Sequence, residues 1–196
     1  QFNGTDWNQI GSDIYGEAKD DRSGAAISLS SDGKTLAIGA PLNGGNRGHV
    51  RIYRFDGSNW NQFGNDIDGK AADHQSGTSV SLSSNGLTVA IGSPTSGAGD
   101  FHGGATNLIG YVRVYSYNSS GSSWDLVGSD INGLKWRDGT GQSVSLSGDG
   151  SVVAVSSVGF TIGGFGEAAG QVRIFQLSSG NWQQIGDDIN GLPGDR

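Results

Sequence analysis

The stretch Gly77-Thr-Ser-Val-Ser-Leu-Ser-Ser-Asn-Gly86, continued by Val89-Ala-Ile-Gly-Ser-Pro94 and Gly110-Tyr-Val-Arg-Val-Tyr115, decides the predicted fold. Val80 and Leu82 alternate with small polar residues, so both apolar side chains fall on one face of an extended strand. The dipeptide Asn85-Gly86 tolerates positive φ, which a tight hairpin between antiparallel strands requires. The stretch therefore predicts short antiparallel strands joined by glycine-containing turns.

This pattern recurs along the chain behind a tryptophan element. Equivalent stretches start at Gly24 and Gly141, and each is preceded by a segment Trp-x-x-x-Gly-x-Asp-Ile-x-Gly, which begins once more near the end of the sequence. The tryptophans of this segment are Trp7, Trp60, Trp124 and Trp182. We expect an all-β fold of β-propeller-type blades, each with four antiparallel strands, because three strands follow each tryptophan strand. The predicted units are repeat 1 (1–59), repeat 2 (60–123), repeat 3 (124–181) and the start of a fourth repeat (182–196), in one continuous β-repeat domain or a segment of a longer array.

Composition and charge exclude several classes of protein. The chain has 12 Lys and Arg against 19 Asp and Glu, a formal net charge of −7, so no basic face for nucleic acid is expected. The 36 glycines follow no three-residue period, which excludes collagen, and no apolar run is long enough for a membrane span. Two N-glycosylation sequons begin at Asn3 and Asn118, which favours an extracellular or cell-surface location.

The repeated series resembles FG-GAP repeats, the blades of the integrin α-subunit propeller. Gly77–Gly86, Val89–Pro94 and Gly110–Tyr115 carry the likeness best, and it covers all three units. The tryptophan element is similar to a variant found in long secreted microbial repeat proteins. The resemblance implies a propeller and, as in many FG-GAP blades, calcium in an Asp-rich loop between the first two strands. Here that turn is only Ser31-Asp-Gly-Lys34 or its equivalent, whereas calcium prefers six to eight oxygen ligands, so we expect no cofactor in it.

The number of blades predicts association. Closed propellers have four to eight blades, so three do not close a ring, and neither end of the sequence resembles a capping repeat. Three arrangements stay open: a segment of a longer chain, two chains paired into one ring, or a filament. We expect the partners to be other copies of the chain or neighbouring repeats of a longer chain, with glycans as a further candidate.

Candidate ligand or interface residues gather where the units differ. Trp136 has no counterpart in the other units and could stack on a sugar, fill an interface or anchor its own loop. Insertions in repeat proteins map to one face, often the binding face. The insertions between the second and third strands make Phe101, His102, Phe160 and Phe165 candidates for contact with a ligand or neighbouring chain, with packing against their own blades as the alternative.

Recurrent charges favour structural roles. Arg51, Arg113 and Arg173 occupy one register, which predicts a salt bridge or a carbonyl-capping arginine in every blade. Three carboxylates, one before the opening glycine of each blade, are expected to cap turns: Asp21, Asp73 and Asp138. The alternative is that they join Asp20 and Glu17 in weak calcium sites.

The functional prediction is a non-catalytic extracellular structural or adhesive module that contributes to a surface or fibrous assembly. His49, His74 and His102 lie on different elements without metal-ligand spacing, and no serine lies in a nucleophile elbow, so no enzyme is expected. Two alternatives remain open. One is a carbohydrate-binding propeller that uses Trp136 and the loop aromatics, and the other is a calcium-dependent protein-binding domain.

Overall fold

The structure is a computed structural model that describes residues 1–94, 109–136, 138–159 and 169–192, and these form three antiparallel sheets. The first sheet has β1 (Ala26–Leu29), β2 (Thr35–Ala40), β3 (His49–Phe55), β4 (Trp60–Gln62) and β5 (Ile67–Asp68), with the short turn α1 (Asn43–Asn46) after β2. The second has β6 (Ser79–Leu82), β7 (Thr88–Ser93), β8 (Tyr111–Asn118), β9 (Ser123–Leu126) and β10 (Ile131–Asn132). The third has β11 (Thr140–Leu146), β12 (Val152–Ser157), β13 (Gln171–Ser178), β14 (Asn181–Gln184) and β15 (Ile189–Asn190). Across these ranges there is no helix of the length and apolarity that a membrane crossing requires.

The sheets share one topology. The first three strands pair in chain order, and two short strands together form the fourth edge, both paired with the third strand. In the first sheet, β4 pairs with the end of β3 and β5 pairs with its start. Gly64, between β4 and β5, has a φ of +83°, a conformation that interrupts an extended edge and that glycine adopts readily. The predicted all-β fold of four-stranded, propeller-type blades is confirmed.

The boundaries of the sheets differ from those of the sequence repeats by the tryptophan element. The tryptophan element that begins each repeat lies in the sheet of the repeat before it, since Trp60 pairs with Phe55 and Trp124 with Tyr117. The element that begins at Trp182 therefore completes the third sheet, where it pairs with Leu177. The element that begins at Trp7 precedes the first sheet.

Each hairpin between the first two strands is braced by a serine and an Asx residue. The Ser30 hydroxyl donates to Asp32 Oδ1 over 2.6 Å, and the same carboxylate oxygen accepts the Lys34 N–H over 2.9 Å. In the third sheet, hydrogen bonds from the Ser147 hydroxyl and from the N–H and hydroxyl of Ser151 lower the pKa of Asp149 to about 2. These turn carboxylates are therefore engaged in holding the hairpin.

The core lies between the sheets. Val50 and Ile52 of β3 pack with Val80 and Leu82 of β6, and a second cluster joins the second sheet to the third. Because the apolar residues of each strand alternate with polar ones, each sheet presents an apolar face to its neighbour. The contacts that stabilise this protein are thus contacts between successive repeats.

Candidate functional site

The described residues contain one recurrent joint between successive units, built on the tryptophan element. The indole N–H of Trp124 donates to the carbonyl oxygen of Phe63 over 2.8 Å. Trp182 donates to Val127 over 2.9 Å, and Trp60 donates to Ile10 over 3.1 Å. Each acceptor lies three residues after the tryptophan of the preceding unit, so the indoles link the units in a continuous series.

The glycine that follows each acceptor makes room for the indole. A Cβ on Gly64 would lie 2.8 Å from Trp124 Cδ1, and a Cβ on Gly11 would lie 2.8 Å from Trp60 Cδ1. Both glycines also have positive φ. Steric room and backbone conformation therefore both require glycine at the last position of Trp-x-x-x-Gly. We call this glycine and the carbonyl group before it the indole socket, because together they receive the tryptophan of the next unit.

Replacing Gly64 with alanine is expected to destabilise the fold by about 1–3 kcal/mol more than the same change at Gly186. Both residues have positive φ, 83° and 70°, so both variants carry similar backbone strain. A Cβ on Gly186 meets nothing within 4 Å, whereas a Cβ on Gly64 collides with the Trp124 ring. Urea unfolding of the two variants measures the difference, and equal losses would show that the socket contributes nothing.

Close backbone contacts join the inner strands of successive sheets. A Cβ on Gly39 would lie 2.0 Å from the Gly77 carbonyl oxygen, and one on Gly92 equally close to that of Gly141. The Ser28 hydroxyl accepts the Leu82 N–H over 2.9 Å, and the Ser81 hydroxyl accepts the Leu146 N–H over 2.9 Å. We call the contact between the first and second sheets the first joint and the contact between the second and third sheets the second joint. The second joint thus repeats the contacts of the first.

The first and third sheets each have one face that carries the residues of such a joint but has no described sheet packed against it. Ile27 is 67% exposed, whereas Val80 at the same register in the second sheet is 8% exposed. Ile189 is 58% exposed, whereas its equivalent Ile67 is 5% exposed. Trp7 is likewise exposed, and the socket at Gly186 is open. We call the surface around Ile27 the N-terminal face and the surface around Ile189 the C-terminal face.

The C-terminal face departs from the internal joints at one position. Ser156 stands where the first two units have Gly39 and Gly92, and its hydroxyl accepts the Ser143 N–H over 2.9 Å. Because a Cβ at that register meets the neighbouring backbone at about 2.0 Å in the internal joints, a unit docked here must stand off from β12. The C-terminal face therefore keeps the socket but not the closest backbone contact.

The recurrent arginines have the predicted structural roles. Arg51 donates to the Tyr15 carbonyl oxygen over 2.7 Å, and Arg173 donates to the Asn132 carbonyl oxygen over 2.9 Å. Arg113 instead donates to Asp130 Oδ1 over 2.7 Å. Two of the three thus cap carbonyl groups, and the third forms a salt bridge.

A cluster of ionisable side chains lies where the segment before the first sheet contacts that sheet. His49 Nδ1 lies 3.7 Å from Glu17 Oε2 and 3.7 Å from Asp66 Oδ2, and the candidate ligand atoms all lie within 4.8 Å of one another. The equivalent position between the first and second sheets holds Lys70, which forms an ion pair with Asp130. Burial alone would raise the pKa of Asp130, but hydrogen bonds from Lys70 and Arg113 outweigh burial and lower it.

Two of the four candidate carboxylates are buried and accept backbone hydrogen bonds. Asp138, 1% exposed, accepts the N–H groups of Leu134 and Thr140 over 2.8 and 3.0 Å. Asp21 accepts the Ala18 N–H over 3.1 Å. Asp73 accepts from the Asn46 side chain over 3.2 Å, and Asp20 is exposed with a φ of +70°. This geometry is that of turn caps, and calcium at these carboxylates stays a prediction.

The other candidates are dispersed or fall outside the described ranges. Trp136 is 52% exposed in the turn before Asp138. The sequon residues Asn3 and Asn118 are both exposed. The four loop residues predicted to contact a ligand or partner lie outside the described residues: Phe101, His102, Phe160 and Phe165.

Sequence reasoning missed the indole socket and the cluster around His49. The pairing of each tryptophan with a glycine four residues later is visible in all four copies, and it was a usable signal. That the glycine of one copy receives the tryptophan of the next is a property of the fold. The cluster gives no local signal, because Glu17, His49 and Asp66 lie far apart in the sequence.

The chain is similar in structure to known β-propeller proteins. No protein-family model matches the sequence, and no curated protein matches it. A hypothetical selenium-binding protein from Sulfolobus tokodaii shares 11% identity at a TM-score of 0.54, over 84% of this chain and 40% of its own. The β-propeller domain of the Trilobed protease from Pyrococcus furiosus shares 10% identity at a TM-score of 0.45, over 83% and 43%. The periplasmic gluconolactonase of Pseudomonas aeruginosa shares 17% identity at a TM-score of 0.48, over 87% and 58%. The chain thus spans less than two thirds of each, and at these identities the likeness concerns the fold.

The comparisons correct one prediction. The expectation that the protein is not an enzyme is not upheld: the similar structures include this gluconolactonase and a putative 6-phosphogluconolactonase from Bacteroides uniformis, so the fold is one that enzymes also have. Blades can place catalytic groups from separate repeats side by side, so a missing contiguous motif does not exclude catalysis. Catalysis is therefore not excluded for this chain.

Proposed function

We propose that this chain is a repeat module of an extracellular structural or adhesive assembly, in which its two uncovered faces join further units of the same kind. The observation that carries the proposal is the exposure of Ile27 and Ile189 at registers that are buried in the internal joints. Burying a side chain of this size stabilises an interface by about 1.5–3 kcal/mol.

The uncovered faces carry matching halves of the joint. The N-terminal part presents Trp7, and the third sheet presents the Ile185 carbonyl and the open socket at Gly186. A surface of one copy that fits a different surface of the next makes a heterologous contact, which yields a ring or a filament. The exposed sequons and the resemblance of the repeats to FG-GAP units support an extracellular setting.

The purified chain is expected to associate above the 20.2 kDa of one copy, with a mass that rises with concentration. Ile27→Lys places a charge in the joint and should weaken association about tenfold or more. Ser156→Gly restores the internal joint and should strengthen association. Sedimentation velocity measures both, with Leu126→Lys, at an exposed position on β9, as the control.

Two results would contradict this proposal. A mass of one copy at every concentration would exclude association through these faces. Association that responds equally to Ile27→Lys and Leu126→Lys would place the contact elsewhere.

The half-exposed Trp136 supports the carbohydrate-binding hypothesis as a second candidate function.

A further inference from the structure

The charged groups around the first residue of the third strand differ between the first unit and the other two. The position after the last glycine of the tryptophan element is Glu17, Lys70 or Leu134. Glu17 and Lys70 each lie near the first residue of the third strand and the aspartate before the split edge. Between the first and second sheets, Lys70 pairs with Asp130 and lies 4.7 Å from the centre of the Tyr111 ring. The ammonium group of Lys70 therefore balances the charge of Asp130 at this position.

The third unit satisfies its aspartate with neutral donors. Gln171 Nε2 donates to Asp188 Oδ2 over 3.0 Å, and Gln184 Nε2 donates to Asp188 Oδ1 over 2.8 Å. The first unit has Glu17 in place of lysine and His49 in place of tyrosine or glutamine. Two carboxylates therefore converge on one imidazole, where the other units place a cation or a neutral amide.

We propose that Glu17, His49 and Asp66 form a zinc site. A zinc ion binds nitrogen and oxygen ligands at about 2.0–2.2 Å, which places the ligand atoms of a tetrahedron about 3.3–3.6 Å apart. The 3.7 Å from His49 Nδ1 to each carboxylate oxygen nearly matches this separation. Three protein ligands leave a fourth position for water, and the partly exposed Glu17 and Asp66 leave a path for entry.

Outer contacts orient two of the ligands. Gln62 Nε2 donates to Asp66 Oδ1 over 2.6 Å, so Oδ2 faces His49. Arg51 lies 3.8 Å from Glu17 Oε1, so Oε2 faces His49. Donors that hold the second oxygen of a ligating carboxylate are typical of metal sites. With one arginine against two carboxylates, the cluster keeps a net negative charge when His49 is neutral.

His49 gives an independent indication. Its side chain is 2% exposed, and within the described residues Nδ1, the ring nitrogen that faces both carboxylates, has no hydrogen bond; Nε2, also buried and unpaired, points away from them. Buried polar groups in folded proteins are nearly always satisfied, and an unsatisfied one indicates a bound water or ion. Nδ1 points between the two carboxylates, where an ion would complete its coordination.

Calorimetric titration of metal-free protein with zinc chloride tests the site. We expect one zinc ion per chain and a melting temperature raised by zinc. His49→Gln should weaken zinc binding at least about tenfold, because it removes the nitrogen ligand. Glu17→Gln, at a largely exposed side chain, keeps the fold and should also weaken binding. His74→Gln, at a histidine that stacks on Tyr111 outside the cluster, is the matched control and should bind zinc like the parent.

Three outcomes would overturn the zinc site. The parent could bind no zinc. The Glu17→Gln and His49→Gln variants could bind zinc as the parent does. Calcium could bind with zinc unable to displace it, which would indicate an all-oxygen site elsewhere.

Discussion

Replacing Trp124 with alanine is expected to lower the free energy of unfolding by about 3–5 kcal/mol, the range for removing a buried aromatic side chain. The Trp124 ring is buried in the cluster that joins the first two sheets, where it lies edge-on to Phe63 with 5.9 Å between ring centres. The variant loses this packing and the hydrogen bond to the Phe63 carbonyl. Urea denaturation followed by circular dichroism measures the change.

Trp7→Ala is the matched control for this prediction. Trp7 occupies the same place in its repeat but is 82% exposed, with its ring against Phe2. Loss of an exposed side chain usually changes stability by less than about 0.5 kcal/mol. If the two variants lose the same stability, the indole joint does not hold the sheets together.

Gly92→Ala is expected to destabilise the protein by about 3 kcal/mol or more, although the same change elsewhere often stabilises slightly. Gly92 does not have positive φ, so alanine brings no backbone strain of that kind. Its Cβ would lie 2.0 Å from the Gly141 carbonyl oxygen and 2.2 Å from Ser79 Oγ. The backbone cannot move aside without separating β7 from β11, so the cost is steric and falls on the joint.

Gly121→Ala controls for the intrinsic effect of alanine. Gly121 also lacks positive φ, and the nearest atom to its Cβ would be Ser123 Oγ at 3.1 Å, which can rotate away. We expect its stability to lie within about 0.5 kcal/mol of the parent. Thermal unfolding of both variants compares them, and a Gly92→Ala protein as stable as Gly121→Ala would contradict the packing described for the second joint.

Local pattern was sufficient for the strands and for their order within a blade. Val80-Ser-Leu82 alternates because one face of β6 is buried, and Asn85-Gly86 turns the chain because the hairpin requires positive φ. These are short-range consequences of backbone geometry, which is why residues that are neighbours in the sequence report them. The recurrence of Arg51 and Arg173 predicted a structural role, but the carbonyl groups that they cap lie 36 and 41 positions away and were decided by the fold.

The joints between units could not be read from the chain, because they depend on residues tens of positions apart. The tryptophan element reads as the start of a repeat, yet it completes the preceding sheet, since backbone pairing and not sequence period defines a sheet. His49 has no ligand spacing along the chain, and it meets Glu17 and Asp66 only after β3 and β5 pair and the segment before the first sheet packs against β3. Sequence thus specified the blade, through alternation and turn chemistry that act over a few residues. Packing between blades created the socket, the uncovered faces and the zinc site, because these arise where separate parts of the chain exclude water together.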